Sequence, residues 1–370
     1  MVKIIAKSAA FLLSCILVFL LLEGLCSSAR VVRDLVSSSR RSLAAENHTR
    51  YDRELGWGNI PNFYRKDYYN PGVYIKTNSK GFRNQEEFDV QIPANKLRVI
   101  CSGDSFTFGT GVDNDHTWCQ QLAALDHRLQ TVNMGVPGYG VDQIYLCYLR
   151  GGAPLDHDVQ FFAVVGDDFN RMQGSNVWGH GKPMLELQGD RLVATHVPVR
   201  KAPSFVRWIA LRRGLWLEFK SLAALQWMLD KFRRPPPSPS LANRRIELQH
   251  RVVAKIIEAL QAVNESKNST LVLVYLPMAD EDRTRDSPGT WRGLLRDEAA
   301  RRGIPFIDFF ADTQELPIRE LERLFIPAGS QYYASAPGHL TDYGNEYVAR
   351  KLYGLLRGNP EVSAKLSRLH

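Results

Sequence analysis

The stretch Arg98-Val99-Ile100-Cys101-Ser102-Gly103-Asp104-Ser105-Phe106-Thr107-Phe108-Gly109-Thr110-Gly111-Val112 decides how the chain is read. Arg98 to Cys101 is a short apolar, β-branched run soon ended by glycine, the pattern of a buried strand. Gly103 permits a sharp turn, which leaves Asp104 and Ser105 at the strand's C-terminal edge, where open parallel sheets bind ligands. A serine there has an exposed hydroxyl and a free amide, as a nucleophile needs. The G-x-S-x-G elbow is excluded, because Asp104 and Phe106 flank the serine directly. Gly-Asp-Ser also reads as a plain turn, since all three residues favour turns. The segments on either side have to decide between the two.

Downstream, Trp118, Leu122, Leu125 and Leu129 fall at helical spacing, and Gln130 to Met134 returns as a strand. Val141 to Arg150 reads as a helix, and Val159 to Val165 as a strand apolar enough to be buried on both faces. Ile246 to Val263 gives a long helix. Leu271 to Leu276 and Ile304 to Phe309 give strands with a helix, Trp291 to Arg301, between them. A last helix starts near Gly344. Such alternation predicts an α/β domain with a parallel sheet and helices on both sides. Residues 173–245 break the rhythm and read as an insertion. It holds a hairpin (Met184 to Leu187, Arg191 to Thr195), an apolar and basic stretch from Phe205 to Phe232, and the stiff tract Arg233-Arg234-Pro235-Pro236-Pro237-Ser238-Pro239. It serves either as a lid or membrane-facing cap, or as an ordinary packed excursion.

Four motifs then stand in order: GDSFTFGTGV, VNMGVPGYG, Gly166-Asp167-Asp168 after the apolar strand, and GHLTDYGNEYVA. Together, over roughly residues 51–356, they resemble the SGNH (GDSL-type) hydrolase superfamily, in particular its envelope-associated esterase and acyltransferase branch. The resemblance implies a three-layer α/β/α flavodoxin-like sandwich with a central parallel sheet. It implies Ser105 as nucleophile, His339 as base, and an oxyanion site from the Ser105 amide, the Gly135 amide and the side chain at position 167. Asp104 and Asp168 would support the site. No metal and no organic cofactor is implied.

Two positions depart from that pattern. Asp167 stands where the family has asparagine, and an ionised carboxylate cannot donate to an oxyanion. Ala336 and Pro337 stand where the family places the aspartate that orients the histidine. No carboxylate occurs between Arg323 and His339. A backbone carbonyl, a distant aspartate or nothing at all then orients the ring, and Ala336→Asp would restore the acid.

The remaining features bound the setting. With 370 residues, 44% of them hydrophobic, the chain suits one large domain or a domain with an insertion. The net charge of +8 comes from scattered basic residues, and no nucleic-acid-binding motif accompanies it. Attraction to an anionic membrane face or acidic glycan is the plainer use of that charge. Lys3 and Lys7 precede an apolar run from Ser8 to Leu22, long for a signal-peptide core and short for a membrane span. Both readings mean export, with an uncleaved anchor facing the periplasm or exterior favoured over secretion after cleavage. Five cysteines without regular spacing suggest neither a disulfide framework nor a metal site. Asn47, Asn264 and Asn268 begin glycosylation sequons.

The expected organisation is an anchor or signal segment over 1–29, a polar stalk over 30–50 and an aromatic lead-in over 51–97. The hydrolase-like domain follows over 98–360. The expected function is a serine esterase or O-acyltransferase acting on an acyl ester, acetyl first, of an envelope glycan or lipid. The alternative is a catalytically silent protein of the same fold that binds glycan or assists polysaccharide assembly. A nucleotide-binding module fits poorly, because no P-loop or G-x-G-x-x-G opens a helix.

Overall fold

The computed structural model describes residues 48–177, 180–200, 239–279, 291–331, 333 and 335–369, with most of 11–24; the remaining residues lie outside the description. The chain divides into two compact units, Met1–Ser42 with Ala202–Ile246, and Leu43–Lys201 with Glu247–His370. The second unit holds the sheet and the candidate site. The stretch Phe205 to Phe232 and the proline tract up to Ser238 lie outside the described residues, whereas Pro239 opens a helix.

Five strands form the central sheet: β1 (Leu97–Ser102), β2 (Leu129–Asn133), β3 (Val159–Val164), β4 (Thr270–Tyr275) and β5 (Phe306–Asp308). Their order is β2-β1-β3-β4-β5, and every neighbouring pair is parallel. Alternation along the strands sorts their side chains between two cores. Ile100, Val132, Phe162 and Leu273 face one side. There they meet helices α3 (Val141–Cys147), α5 (Pro239–Ser266) and α6 (Trp291–Arg302). Val99, Cys101, Phe161 and Val272 face the other, against α2 (Trp118–Leu125) and α7 (Asp342–Gly358). Each such side chain, once fully buried, contributes about 1.5–3 kcal/mol. The result is the three-layer α/β/α sandwich that the sequence implies.

The strand order reverses between β1 and β3, which opens a crevice at the carboxyl ends of those two strands. Two short helices begin there: α1 (Ser105–Phe108) directly after β1 and α4 (Gly166–Arg171) directly after β3. The topology alone therefore brings the Gly-Asp-Ser and Gly-Asp-Asp motifs together.

Leu129, read at helical spacing with Trp118, instead opens β2, since α2 ends at Leu125. Three further details differ from the sequence reading. The helix expected over 141–150 ends at Cys147 and continues as a π-helical turn, Tyr148–Gly152. Strand β5 is half its expected length, since its ladder with β4 runs only from Phe306 to Asp308. The third is a correction: Cys101 on β1 and Cys119 on α2 form a disulfide, their Cα atoms 6.4 Å apart. The pairing is set by how α2 packs on β1, which spacing along the chain cannot reveal.

The lead-in forms short antiparallel ribbons, Thr49–Asp52 with Gly56–Asn59 and Tyr64–Arg65 with Ile75–Lys76. The hairpin expected near 184–195 pairs Met184–Gln188 with Arg191–Thr195. Asn264 is buried, and its amide donates to Gln160 Oε1 at 2.6 Å, whereas Asn268 is exposed. Among the described residues no helix is long and apolar enough to cross a membrane. Much of the N-terminal segment expected to anchor the chain, and all of the stalk up to Asn47, lies outside the described residues.

Candidate active site

The geometry at Ser105 follows from small residues around it. A Cβ on Gly103 would lie 2.0 Å from Thr107 Oγ1 and 2.8 Å from Ala163 O, so only glycine lets β1 turn there. Asp104 caps α1, its Oδ1 accepting from Phe106 N at 2.9 Å. Ser105 is the first residue of the helix, so its amide has no intrahelical acceptor. Gly109 closes the turn in the left-handed region (φ 79°). Where the sequence predicts an exposed hydroxyl, Ser105 is almost wholly buried, with 7% of the residue accessible.

His339 is placed by a loop stitched to the segment before it. Ile326 N donates to His339 O at 2.8 Å, Gly338 N to Ile326 O at 2.9 Å, and Thr341 N to Leu324 O at 2.8 Å. Thr341 then caps α7 by accepting from Gly344 N at 3.0 Å. A side chain at Gly344 would strike Leu324 O, 2.2 Å from an added Cβ. Held this way, and packed on the Phe106 ring with centroids 4.7 Å apart, His339 brings Nε2 to 2.8 Å from Ser105 Oγ.

The other ring nitrogen, Nδ1, lies 3.2 Å from the carbonyl oxygen of Ala336. A carbonyl only accepts, so Nδ1 carries the hydrogen and Nε2 presents its lone pair to the serine hydroxyl. Burial pushes the imidazole below its ordinary pKa of 6.5, against the pull of Asp104 and the Ala336 carbonyl. The ring is therefore neutral at pH 7 and able to take a proton.

Beside the serine lies a compact charged group. Asp104 Oδ2 is 3.2 Å from Ser105 Oγ and 3.0 Å from Arg171 Nη1. The same Nη1 donates to Asp168 Oδ1 at 2.6 Å and to Tyr139 O at 3.1 Å. Asp168 Oδ2 accepts from Val165 N at 2.9 Å. Burial, then the neighbouring Asp104, raises the Asp168 pKa well above the usual carboxylate range in spite of Arg171.

The sequence pattern of the GDSL-like Lipase/Acylhydrolase family matches residues 101–347, from β1 into α7. The chain belongs to that family. The family is one of lipases and acylhydrolases, proteins that cleave acyl esters. Solved structures similar to this chain include a member of the lipolytic protein G-D-S-L family from Veillonella parvula DSM 2008. That one is 13% identical, with a TM-score of 0.39, over 70% of this chain and 97% of its own. Another is the lipase/acylhydrolase from Enterococcus faecalis, 11% identical with a TM-score of 0.38, over 71% of this chain and 96% of its own. No curated protein matches the sequence.

Within this family frame, the residues singled out from sequence fare differently. Ser105, His339, Asp104 and Asp168 converge on one site. Gly135 lies beside it, where a Cβ would stand 2.1 Å from Phe108 N, so α1 and the loop after β2 approach as closely as backbones can. Its amide, however, donates to Asn133 Oδ1 at 3.0 Å, which commits the hydrogen expected for an oxyanion. Asp167 is half exposed, 3.6 Å from Arg171 Nη2, and accepts from Asn170 Nδ2 at 3.4 Å. Sequence reading passed over Arg171, the cation of the α4 segment GDDFNR. Its position four residues after Asp167 and three after Asp168 is the signal that could have found it. Among the described residues, no group of three or more His, Cys, Asp or Glu side chains could hold a metal ion.

Proposed function

We propose that the protein is an exported serine ester hydrolase or O-acyltransferase, with Ser105 as nucleophile and His339 as general base. The 2.8 Å contact between Ser105 Oγ and His339 Nε2, at the crevice where the strand order reverses, carries this reading. Ser105 Oγ attacks the ester carbonyl carbon while its proton passes to Nε2. The Ser105 amide donates to the developing oxyanion. Collapse of the intermediate breaks the acyl carbon–oxygen bond, and the leaving alcohol takes the proton from His339. Water, or the hydroxyl of an acceptor, then attacks the acyl-serine by the same route and regenerates the enzyme. A small O-acyl ester, acetyl first, on an envelope glycan or lipid is the substrate we favour. Supporting export, the charged-then-apolar segment from Lys3 to Leu22 precedes the domain. The Cys101–Cys119 disulfide also suits an oxidising compartment.

A second reading, a silent glycan-binding relative, is favoured by the Asp167 carboxylate and by the missing acid before His339. A fluorophosphonate probe separates the two. Stoichiometric labelling that disappears in Ser105→Ala supports the enzyme. A folded protein that never reacts with the probe supports the binding protein.

A further inference from the structure

The Ser105 hydroxyl has one proton and two acceptors within reach. His339 Nε2 stands at 2.8 Å and Asp104 Oδ2 at 3.2 Å. The first hydrogen bond is the one that leads to attack on an ester, because the imidazole is placed to take the serine proton as general base and pass it on to the leaving group. A carboxylate oxygen is the stronger acceptor of a buried hydroxyl unless its charge is already compensated. Asp104 Oδ1 is occupied by Phe106 N. At Oδ2 the compensating cation is Arg171, which is largely buried (13% accessible) and reaches that oxygen at 3.0 Å, with the Asp168 carboxyl also against Asp104.

We propose that Arg171 is a positioning residue for the nucleophile: by donating to Asp104 Oδ2, it leaves the serine proton to His339. The inference rests on Ser105 being the nucleophile. The guanidinium is itself fixed from three sides, by Asp168 Oδ1, by the Tyr139 carbonyl and by the partly exposed Asp167. Buried Asp168 thereby acts at one remove, holding the cation at the height of Asp104. The charged groups facing His339 are then Asp104 and Arg171, with Asp168 and Asp167 behind the guanidinium. Arg171 works to lower the affinity of His339 for a proton and Asp104 to raise it.

The test follows the His339 ring by NMR titration, its signal assigned by its loss in His339→Gln, alongside the rate of fluorophosphonate labelling. In Arg171→Met, the His339 pKa is expected to rise by about one unit, the effect of an uncompensated carboxylate nearby. Labelling at pH 7 should slow at least tenfold. Arg171→Lys, which keeps the charge, should return the pKa most of the way. Asp104→Asn in the Arg171→Met background replaces the charged competing acceptor with a neutral amide and should restore labelling. Should Arg171→Met fail to fold because Asp168 is left buried and unpaired, Arg171→Met/Asp168→Asn replaces it with the same expectations. A folded variant in which His339 titrates as in the parent, and the serine labels at the parent rate, overturns the inference while leaving the esterase reading intact. A parent that never labels, in which the His339 pKa still moves with Arg171, overturns the esterase reading and upholds the coupling.

Discussion

The carbonyl oxygen of Ala336 lies 3.2 Å from Nδ1 of His339, so the peptide chain orients the ring where the family uses a carboxylate. A carbonyl fixes the tautomer as well as an aspartate does. It adds no negative charge to stabilise the imidazolium formed during attack. The Ala336 side chain itself is fully buried among Tyr69, Ile326 and Tyr333. The structure thus reverses the expectation for Ala336→Asp. A carboxyl group buried in that largely apolar cluster should destabilise the fold by about 3 kcal/mol or more, without raising kcat. Denaturant midpoints and turnover of one aryl acetate, measured on the same preparations, check both halves.

The pH–rate profile tests the burial of His339. Its pKa lies below the ordinary 6.5, with desolvation the largest cause. Protonation on acidification removes the base, so kcat/KM should be flat through pH 7 and fall only below 6.5. An acid limb centred at or above 6.5 contradicts the burial seen in the structure.

Asp167→Asn exchanges a half-exposed carboxylate for a neutral group that can donate. If position 167 faces the oxyanion, kcat should rise about tenfold with little change in KM; losing one such donor elsewhere costs about 10²–10³. An unchanged kcat in a folded variant removes position 167 from the site.

The disulfide spans 18 residues and ties the strand that ends at the nucleophile to helix α2. Cys119→Ser should lower stability by about 3 kcal/mol. Reductant should lower the parent's melting temperature and leave that of Cys119→Ser unmoved.

Acid should also weaken the fold through His48. Burial and the nearby Arg83 hold its pKa at about 3, down from 6.5. The unfolded chain binds that proton more readily between those values. Stability is therefore whole above pH 6.5 and falls, by up to about 1.4 kcal/mol per unit, as pH drops towards 3. Urea midpoints at pH 7 and pH 5 should diverge less in His48→Gln than in the parent.

The sheet was legible because its strands are short apolar runs between glycines and helical spacings, and burial on both faces leaves no other use for VQFFAVV. Strand ends were less so: β5 stops early because it sits at the sheet edge with one neighbour. Ser105 and His339 were legible as motifs. The group around Arg171 was not, since Asp104 and Arg171 are 67 residues apart and meet only through the strand order. Nor was the orienting carbonyl, because a backbone atom leaves no mark on residue identity. The disulfide was obscured by an odd cysteine count.

The aromatic lead-in has a bearing on where this protein could be cut. Arg83, fully buried, donates to the carbonyls of Phe108, Gly109 and Val112, which form the turn after the serine. Asn59 donates to Gly135 O and Trp57 to Pro137 O, on the loop across the crevice. The family pattern begins only at Cys101. A fragment trimmed to that pattern would contain every reacting group and still lose the struts that hold both sides of the crevice. The shortest portion expected to keep a working shape therefore starts at or before His48, whose ring stacks on Phe108.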